Sequence, residues 1–421
     1  MSKQYQKFQP GEYLPWESGV IEPMLRNAEE VNEKLSTQAP ECSEPITEEE
    51  LVAYNRLWNP YDRLYTDTEY ARSLGLPGVP AYPGFGKLRG TVLPGVPKDI
   101  ADEFYYTNDG HDIRFTGPIF AGDRLCRSTG KVEMKDITPP GSELRQWYIG
   151  GTRNFVDQHG RLMATATGNT RDCYKKYTDG SPRMDFTENM TQWTKYFPPA
   201  HVTTESDWER IRAIWAQEEI RDEDTPYWED VDVGYELPKT CTDGPVTYMH
   251  INYWHYIGDL SIFTREELSD PEYLKTVFHS PYGSYLDETA LHFSGRNLPG
   301  SRLVWYNNTG ANLIARTVTN FVGAKGYISR FCWRFFPFFK ELRTGPIAAD
   351  MFNKIPGMEG RDCDRHGSEG DTCIGRAVVT GKHVNERGEH VVEFGVWGED
   401  LEGNILQACP MAAVLPSRKQ S

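Results

Sequence analysis

The chain repeats itself, and that duplication constrains its fold more than any other feature. Residues 112–167 read DIRFTGPIFAGDRLCRSTGKVEM, a Pro/Gly turn, LRQWYIGGTRNFV and DQHGRLMATAT. Residues 330–412 read RFCWRFFPFF, an insertion, EGDTCIGRAVVTGKHV, HVVEFGVWGED and LEGNILQACPMA. Each copy carries an aromatic-proline strand, a Gly-Asp turn (Gly122-Asp123; Gly370-Asp371), two long alternating strands and a polar-Gly hairpin. The hairpins are Gln158-His159-Gly160 and Glu402-Gly403-Asn404. The period, roughly 245 residues, is too long for a solenoid and predicts a duplicated domain. Ligand sites favour the junctions between domains, so the segments just upstream of each strand set are where chemistry is sought.

The duplication divides the 421 residues into an N-terminal arm with a first domain (1–177), a linker with a helix (178–224) and a second domain (225–421). A formal net charge of −16 argues against nucleic acid or an anionic membrane as the main partner. It leaves room for an anionic small molecule, which needs only a local cluster of cations. No stretch resembles a signal peptide and no window approaches a membrane span, so a cytoplasmic protein is expected. The eight cysteines form no CxxC pair, and reduced thiols are the expectation. Cys363, His366 and Cys373 lie close in sequence, but C-x2-H-x6-C matches no tight zinc pattern, and no metal is expected.

Along the chain, residues 1–22 are polar and proline-punctuated and read as an arm over another part of the molecule. Residues 24–36 are helical by composition, and Thr47-x-x-Glu50 is a capping box opening a helix to about Leu57. A Pro-kinked loop, a short helix, a Gly/Pro turn and a helix from about Gly84 follow. Strands run from about Asp112 to Tyr174. Residues 204–218 form an amphipathic helix, and in the second copy helices are predicted over Tyr248–Ile257 and 309–322. Strands run from Tyr327 to Leu415, interrupted over 343–369 by a Gly/Pro-rich loop that is a lid, an interface or neither. One apolar helix followed by long antiparallel strands implies a sheet curled around that helix.

These pieces resemble the hotdog fold, and more narrowly the double-hotdog MaoC-like dehydratases, or R-specific enoyl-CoA hydratases. The resemblance rests on NPYDRLYTDTEYARSLGLPG at 59–78, F-x-x-P-I-x-x-G-D at 115–123, WEDVDVGYELP at 228–238, NLPG at 297–300, NFVGAKGYISR at 320–330 and GNILQACPMAAVLP at 403–416. It implies an α+β chain of two tandem hotdog domains, each an antiparallel sheet wrapped around a central helix. It also implies water addition to an enoyl-CoA, or its reverse, with no cofactor beyond the CoA thioester that is the substrate. A homo-oligomer is compatible with it. The family uses an Asp and a His in D-x-N-P-x-H as base and acid, with helix-start N–H groups on the thioester oxygen. Here Asn59-Pro60 stands, but Leu57 replaces the Asp and Asp62 the His. In the second copy Ser280-Pro281 replaces Asn-Pro, Phe278 stands at the Asp position and Gly283 at the His position.

The candidate chemistry follows from those departures. Asp62 is either a base with a raised pKa or a capping carboxylate bonded to backbone N–H groups. His255 and Asp259, at i and i+4, are either a displaced catalytic pair or a surface ion pair. His279 is a candidate acid, and Asp287 with His292 is a weaker alternative. Asn59, Tyr61 and Tyr282 are candidates for positioning substrate. Gly84, Gly86 and Gly310 are read either as an anion-facing helix start or as tight packing. Arg89, Arg114, Arg316 and Arg330 are candidates for a CoA phosphate, and the many Tyr and Trp near both loops suggest a bulky or aromatic acyl group. Two other readings stand beside the hydratase: a hotdog thioesterase, and a catalytically degenerate acyl-CoA-binding subunit of a heteromeric dehydratase.

Overall fold

Alternating residues build long strands in both copies, and the strands join into one sheet. The computed structural model describes residues 4–37, 39–85, 105–178, 201–246, 278–279, 285–286, 305, 309–334 and 348–419. The first copy contains α1 (Ser18–Thr37), β1 (Glu41–Cys42), α2 (Glu48–Trp58), α3 (Arg63–Thr66), α4 (Thr68–Ser73), β2 (Tyr105–Phe115), β3 (Cys126–Asp136), β4 (Arg145–Val156) and β5 (Leu162–Tyr174). Helix α5 (Glu205–Trp215) and a 3-10 turn (Trp228–Asp230) connect to the second copy. That copy contains β6 (Thr240–Cys241), β7 (Phe278–His279), β8 (Tyr285–Leu286), α6 (Thr309–Val322), β9 (Tyr327–Arg334), α7 (Ala349–Phe352), β10 (Ile374–Val384), β11 (His390–Glu399), β12 (Ile405–Ala408) and β13 (Met411–Val414).

The sheet runs β1-β3-β4-β5-β2-β9-β13-β11-β10-β6, with β12 paired to β11. Read from each outer edge, the two halves have the same order, and they meet through equivalent strands. This is the arrangement of two hotdogs side by side. In the second copy every residue of α6 except Leu313 is buried, as expected of a helix inside a curled sheet. The helix predicted from Gly84 lies beyond the described residues.

The duplication is visible in individual hydrogen bonds. In one hairpin Asp157 Oδ1 accepts from His159 N–H and Arg161 N–H at 2.8 and 2.9 Å. In the other, Asp400 Oδ1 accepts from Glu402 N–H and Asn404 N–H, both at 2.9 Å. Gly122 N–H donates to the Ile46 carbonyl at 2.8 Å, and Gly370 N–H to the Val246 carbonyl at 2.8 Å. Both glycines have φ near +90° (91° and 88°), a conformation that disfavours a Cβ.

The copies are joined at β2 and β9, which pair antiparallel from Gly110↔Arg334 to Arg114↔Arg330. Arg330 Nε and Nη2 donate to the two Asp112 carboxylate oxygens at 2.9 and 2.7 Å. The His111 ring stacks on Trp333 with centroids 4.6 Å apart. His111 and Asp112 therefore serve the seam. One hydrophobic cluster runs through both copies, from Ile46 and Tyr54 to Met411 and Leu415.

Each outer sheet face is covered by its own insertion. Phe8, Val20, Met24 and Leu35 of the arm and α1 pack on Val132, Trp147, Ile149 and Tyr174. Met351, Phe352 and Ile355 pack likewise on Val378, Trp397 and Ile405. The described part of the 343–369 insertion therefore has a packing role. It buries the second sheet face as the arm buries the first. Cys363 belongs to this cluster and Cys373 to the central one.

The cysteine expectation needs correction. Cys42 and Cys126, directly opposed on β1 and β3, form a disulfide across 84 residues of sequence. Nothing in their spacing indicates it, because register rather than sequence brings them together. The other six cysteines form no disulfide among the described residues. A thiol titration of the denatured, unreduced protein should count six, and full reduction should expose all eight. A count of eight before reduction would exclude the bond.

Candidate functional site

Helix α2 starts where expected, with the Thr47 hydroxyl accepting from Glu50 N–H at 3.1 Å. It stops at Trp58, since Pro60 lacks an N–H and disfavours helix in the residue before it. The loop that follows is held by buried side chains. Asn55 Nδ2 donates to the Tyr65 and Pro80 carbonyls, both at 2.8 Å, and Asn55 Oδ1 accepts from Tyr82 N–H at 3.0 Å.

This loop rests on α6 of the other copy. Asn59 Nδ2 donates to Asn320 Oδ1 at 2.7 Å. Asn312 Nδ2 donates to the Tyr54 hydroxyl at 2.9 Å, while the Tyr82 hydroxyl donates to the Asn312 carbonyl at 3.0 Å. Asn312, Arg316 and Asn320 follow one another at four-residue spacing, a polar stripe along one face of an otherwise apolar helix.

Asp62 lies at the centre of this contact and is 1% exposed. Its carboxylate caps α3, with Oδ1 accepting from Leu64 N–H at 2.9 Å. Burial pushes its pKa up to about 8; the neighbouring Asp222 charge and a hydrogen bond to Asp222 push the same way, while Leu64 N–H and Arg316 oppose. Asp222 Oδ2 accepts from the Tyr70 hydroxyl at 3.0 Å. Asp222 Oδ1 is buried with no other donor, so a protonated Asp62 supplies the proton that this oxygen needs. A pKa raised in this way favours the protonated form of Asp62. The sequence leaves Asp62 as either a base with a raised pKa or a capping carboxylate, and the structure has the cap together with a pKa raised by burial.

Arg316 is 5% exposed and forms a close ion pair with Glu218, with Asp243 at 3.5 Å. Glu218 Oε1 also accepts from Cys241 N–H at 2.9 Å. The Tyr61 ring, 56% exposed, lies over the guanidinium at 5.0 Å. Arg316 and Arg330 are therefore both committed to carboxylates and unavailable to a CoA phosphate. Arg114 remains, with its side chain 67% exposed and 3.6 Å from Asp112.

The structure brings Asp62, Asn59 and Tyr61 together with α6. Asn59 is buried, and its amide nitrogen is spent on α6. Gly84 lies nearby, and its carbonyl accepts from the Tyr54 hydroxyl. At Gly310 an added Cβ would come within 2.8 Å of both Gln407 Oε1 and Trp305. Tight packing explains that glycine. His279 lies in β7, where its backbone pairs with Tyr285. Gly86, His255, Asp259, Tyr282, Asp287, His292 and Arg89 lie outside the described residues.

A cavity of about 200 Å3 opens beside the same loop, where the two copies meet. Leu64, Tyr65, Pro80, Phe115, Ile119 and Ile328 are among the residues that line it, and Lys325 is the one charged side chain among its described lining residues. The expectation of a bulky acyl group rests on the Tyr and Trp residues near both loops. Of those aromatics, Tyr65, Tyr82 and Trp305 are instead buried in the core.

No family model matches the chain, and no curated protein matches it. Among solved structures it is similar to a MaoC-like dehydratase, at 15% identity over 91% of this chain and 99% of that one, with a TM-score of 0.48. It is similar to a MaoC domain protein dehydratase from Chloroflexus aurantiacus J-10-fl, at 14% identity over 90% of this chain and 96% of that one, TM-score 0.46. A conserved hypothetical protein from Mycobacterium tuberculosis with a double hotdog fold shows 11% identity over 90% and 97%, TM-score 0.43. Each spans both copies.

Proposed function

We propose that the protein acts on an acyl-CoA thioester at the contact between the Asn59–Thr66 loop and α6, and that it catalyses hydration of an enoyl-CoA or the reverse dehydration. One observation carries this reading. A buried carboxyl, its pKa pushed up by burial and by Asp222, stands where the resembled motif has its acid. In the hydration direction water adds at the β-carbon and gives a proton to a base, while Asp62 protonates the α-carbon. His255, Asp259 and His279 are the candidates for the base. The apolar cavity beside Leu64 and Tyr65 would take a short acyl chain.

The test is turnover of short enoyl-CoAs by purified protein, following the enoyl-thioester absorbance and free thiol together. Absorbance should fall without thiol release; thiol release would instead indicate thioester hydrolysis. Activity should fall as pH rises through about 8, because the acid form is then lost. A rise through that range would make Asp62 a base. Asp62→Asn should lose on the order of 100-fold in kcat. It should still fold, since an amide can donate to Asp222 and accept from Leu64 N–H.

The linkage sign gives an independent readout. Asp62 has a folded-state pKa above its unfolded value of about 4. Its contribution to stability is complete below about pH 4 and is lost as pH rises towards about 8. Asp62→Asn should flatten that slope in urea unfolding, and an unchanged slope would show that Asp62 is not the buried acid described.

The near-complete burial of Asp62 favours a second reading, a subunit that binds acyl-CoA without turning it over. Binding without turnover, with an Asp62→Asn variant that binds equally well, would support it.

A further inference from the structure

A second carboxylate reaches the candidate loop from the segment that joins the two copies, and three contacts bring it there. Arg221 N–H donates to the Asn320 carbonyl at 2.8 Å, and Ala324 N–H donates to the Asp222 carbonyl at 2.7 Å. The backbone around Asp222 is thus tied to the C-terminal end of α6. Asn59, three residues before Asp62, donates to the Asn320 side chain at that same end. From the other flank, the Tyr70 hydroxyl donates to Asp222 Oδ2 at 3.0 Å. Gly323 makes room for this approach: its φ is +63°, and an added Cβ would meet the Asp222 carbonyl oxygen at 2.7 Å.

The two side chains meet, and Asp62 hydrogen-bonds to Asp222. Two carboxyl groups can do so only with a proton between them. Asp62 Oδ1 is taken by Leu64 N–H at 2.9 Å, and Asp222 Oδ1 is buried with no other donor. Asp62 is 1% exposed, whereas Asp222 and Tyr70 are half-buried. Ionisation therefore costs less at Asp222, where water and the Tyr70 hydroxyl meet the charge, and the shared proton falls to Asp62. The other titratable groups around the pair are Tyr65 on α3, Arg63 and Arg316. Arg63 stacks on the Tyr70 ring at 3.9 Å and pairs with Asp67, and Arg316 pairs with Glu218 and Asp243.

We propose that Asp222 is a positioning residue for the acid: it holds the Asp62 proton between the two side chains and keeps Asp62 in its acid form. This assignment rests on the acyl-CoA reading above. When Asp62 gives its proton to the α-carbon, two carboxylates are left face to face, and their repulsion favours the return of a proton to Asp62. The base releases one proton to solvent and Asp62 takes one up, so no further reactant enters.

Infrared titration of the full chain reads this proton, because the C=O stretch of a protonated carboxyl is lost on ionisation. Asp62→Asn identifies the band. In the wild type it should disappear at about pH 8. Asp222→Asn removes the facing charge at constant shape, so the midpoint should fall by about one pH unit, a tenfold change in the acid constant. Asp222→Ala should move it the same way, and it serves if the amide variant does not fold. Glu223→Gln, at an exposed neighbouring acid, should leave the midpoint in place. The pH at which enoyl-CoA turnover falls should move with the band, in kcat rather than KM. An unmoved midpoint in a folded Asp222 variant overturns the proposal, as does a midpoint that moves while the turnover profile stays. A wild type without the band at neutral pH overturns it whether or not the variants fold. An infrared shift without any enoyl-CoA turnover defeats the acyl-CoA reading and leaves the carboxyl pair standing.

Discussion

Arg145→Met should release the N-terminal arm from the sheet and lower stability by about 3–5 kcal/mol. Arg145 is fully buried, and so is its partner Glu17. Nε and Nη2 donate to the two Glu17 oxygens at 2.8 and 2.9 Å, and Nη1 donates to Asp136 at 3.1 Å. Nη1 and Nη2 also donate to the Gln9 and Glu12 carbonyls, each at 2.7 Å. Five acceptors from the arm and the β3 end thus converge on one guanidinium. Methionine fills much of the volume but leaves the Glu17 charge buried without its cation. Urea unfolding would give the loss, and limited proteolysis would locate it in residues 4–37. Arg145→Met combined with Glu17→Gln should recover part of the stability, since the orphaned charge is then gone. A loss below about 1 kcal/mol would mean that water or a neighbour replaces the arginine.

The second large effect is expected at the seam. Gly110 has φ of +126°, and a Cβ there would sit 2.1 Å from the Trp333 carbonyl oxygen, with Arg334 Cα at 3.0 Å. The obstacle is backbone on the opposite strand, so no rotamer change relieves it. Gly110→Ala should force β2 and β9 apart and cost roughly 2–4 kcal/mol. Gly122→Ala is the control: it has a similar positive φ of +91° with nothing within 4 Å, so it carries the conformational strain alone. The difference between the two variants in denaturation midpoint measures the clash. Equal losses would show that β2 and β9 have room to separate without cost.

Much of this molecule is written locally. The strands of both copies, the Thr47 cap, the Pro60 stop and α6 each follow from residues within a few positions of one another. The Gly-Asp turns and Asp-capped hairpins are legible for the same reason. So is the duplication, because the same local chemistry recurs in the same order. The motif departure at Asp62 is also legible.

What sequence could not reach is which distant groups meet there. Asp222 and Glu218 sit in a stretch that reads as linker, and Arg316 in a helix that reads as core. Their spacing does hold one usable signal, the Asn312-Arg316-Asn320 stripe, since apolar core helices rarely need three polar residues on one face. The partners of that stripe remained invisible. Asn59 meets Asn320 across 261 residues and Arg316 meets Glu218 across 98. The same limit hid the Cys42–Cys126 bond. Local sequence alone determined the elements, their order and the repeated turns, because dihedral preference, capping and burial pattern act over a few residues. The tertiary structure decided the burial of Asp62 and its closeness to Asp222. Desolvation and hydrogen-bond satisfaction depend on which surfaces close over a group, and that is settled only when both copies have packed around it.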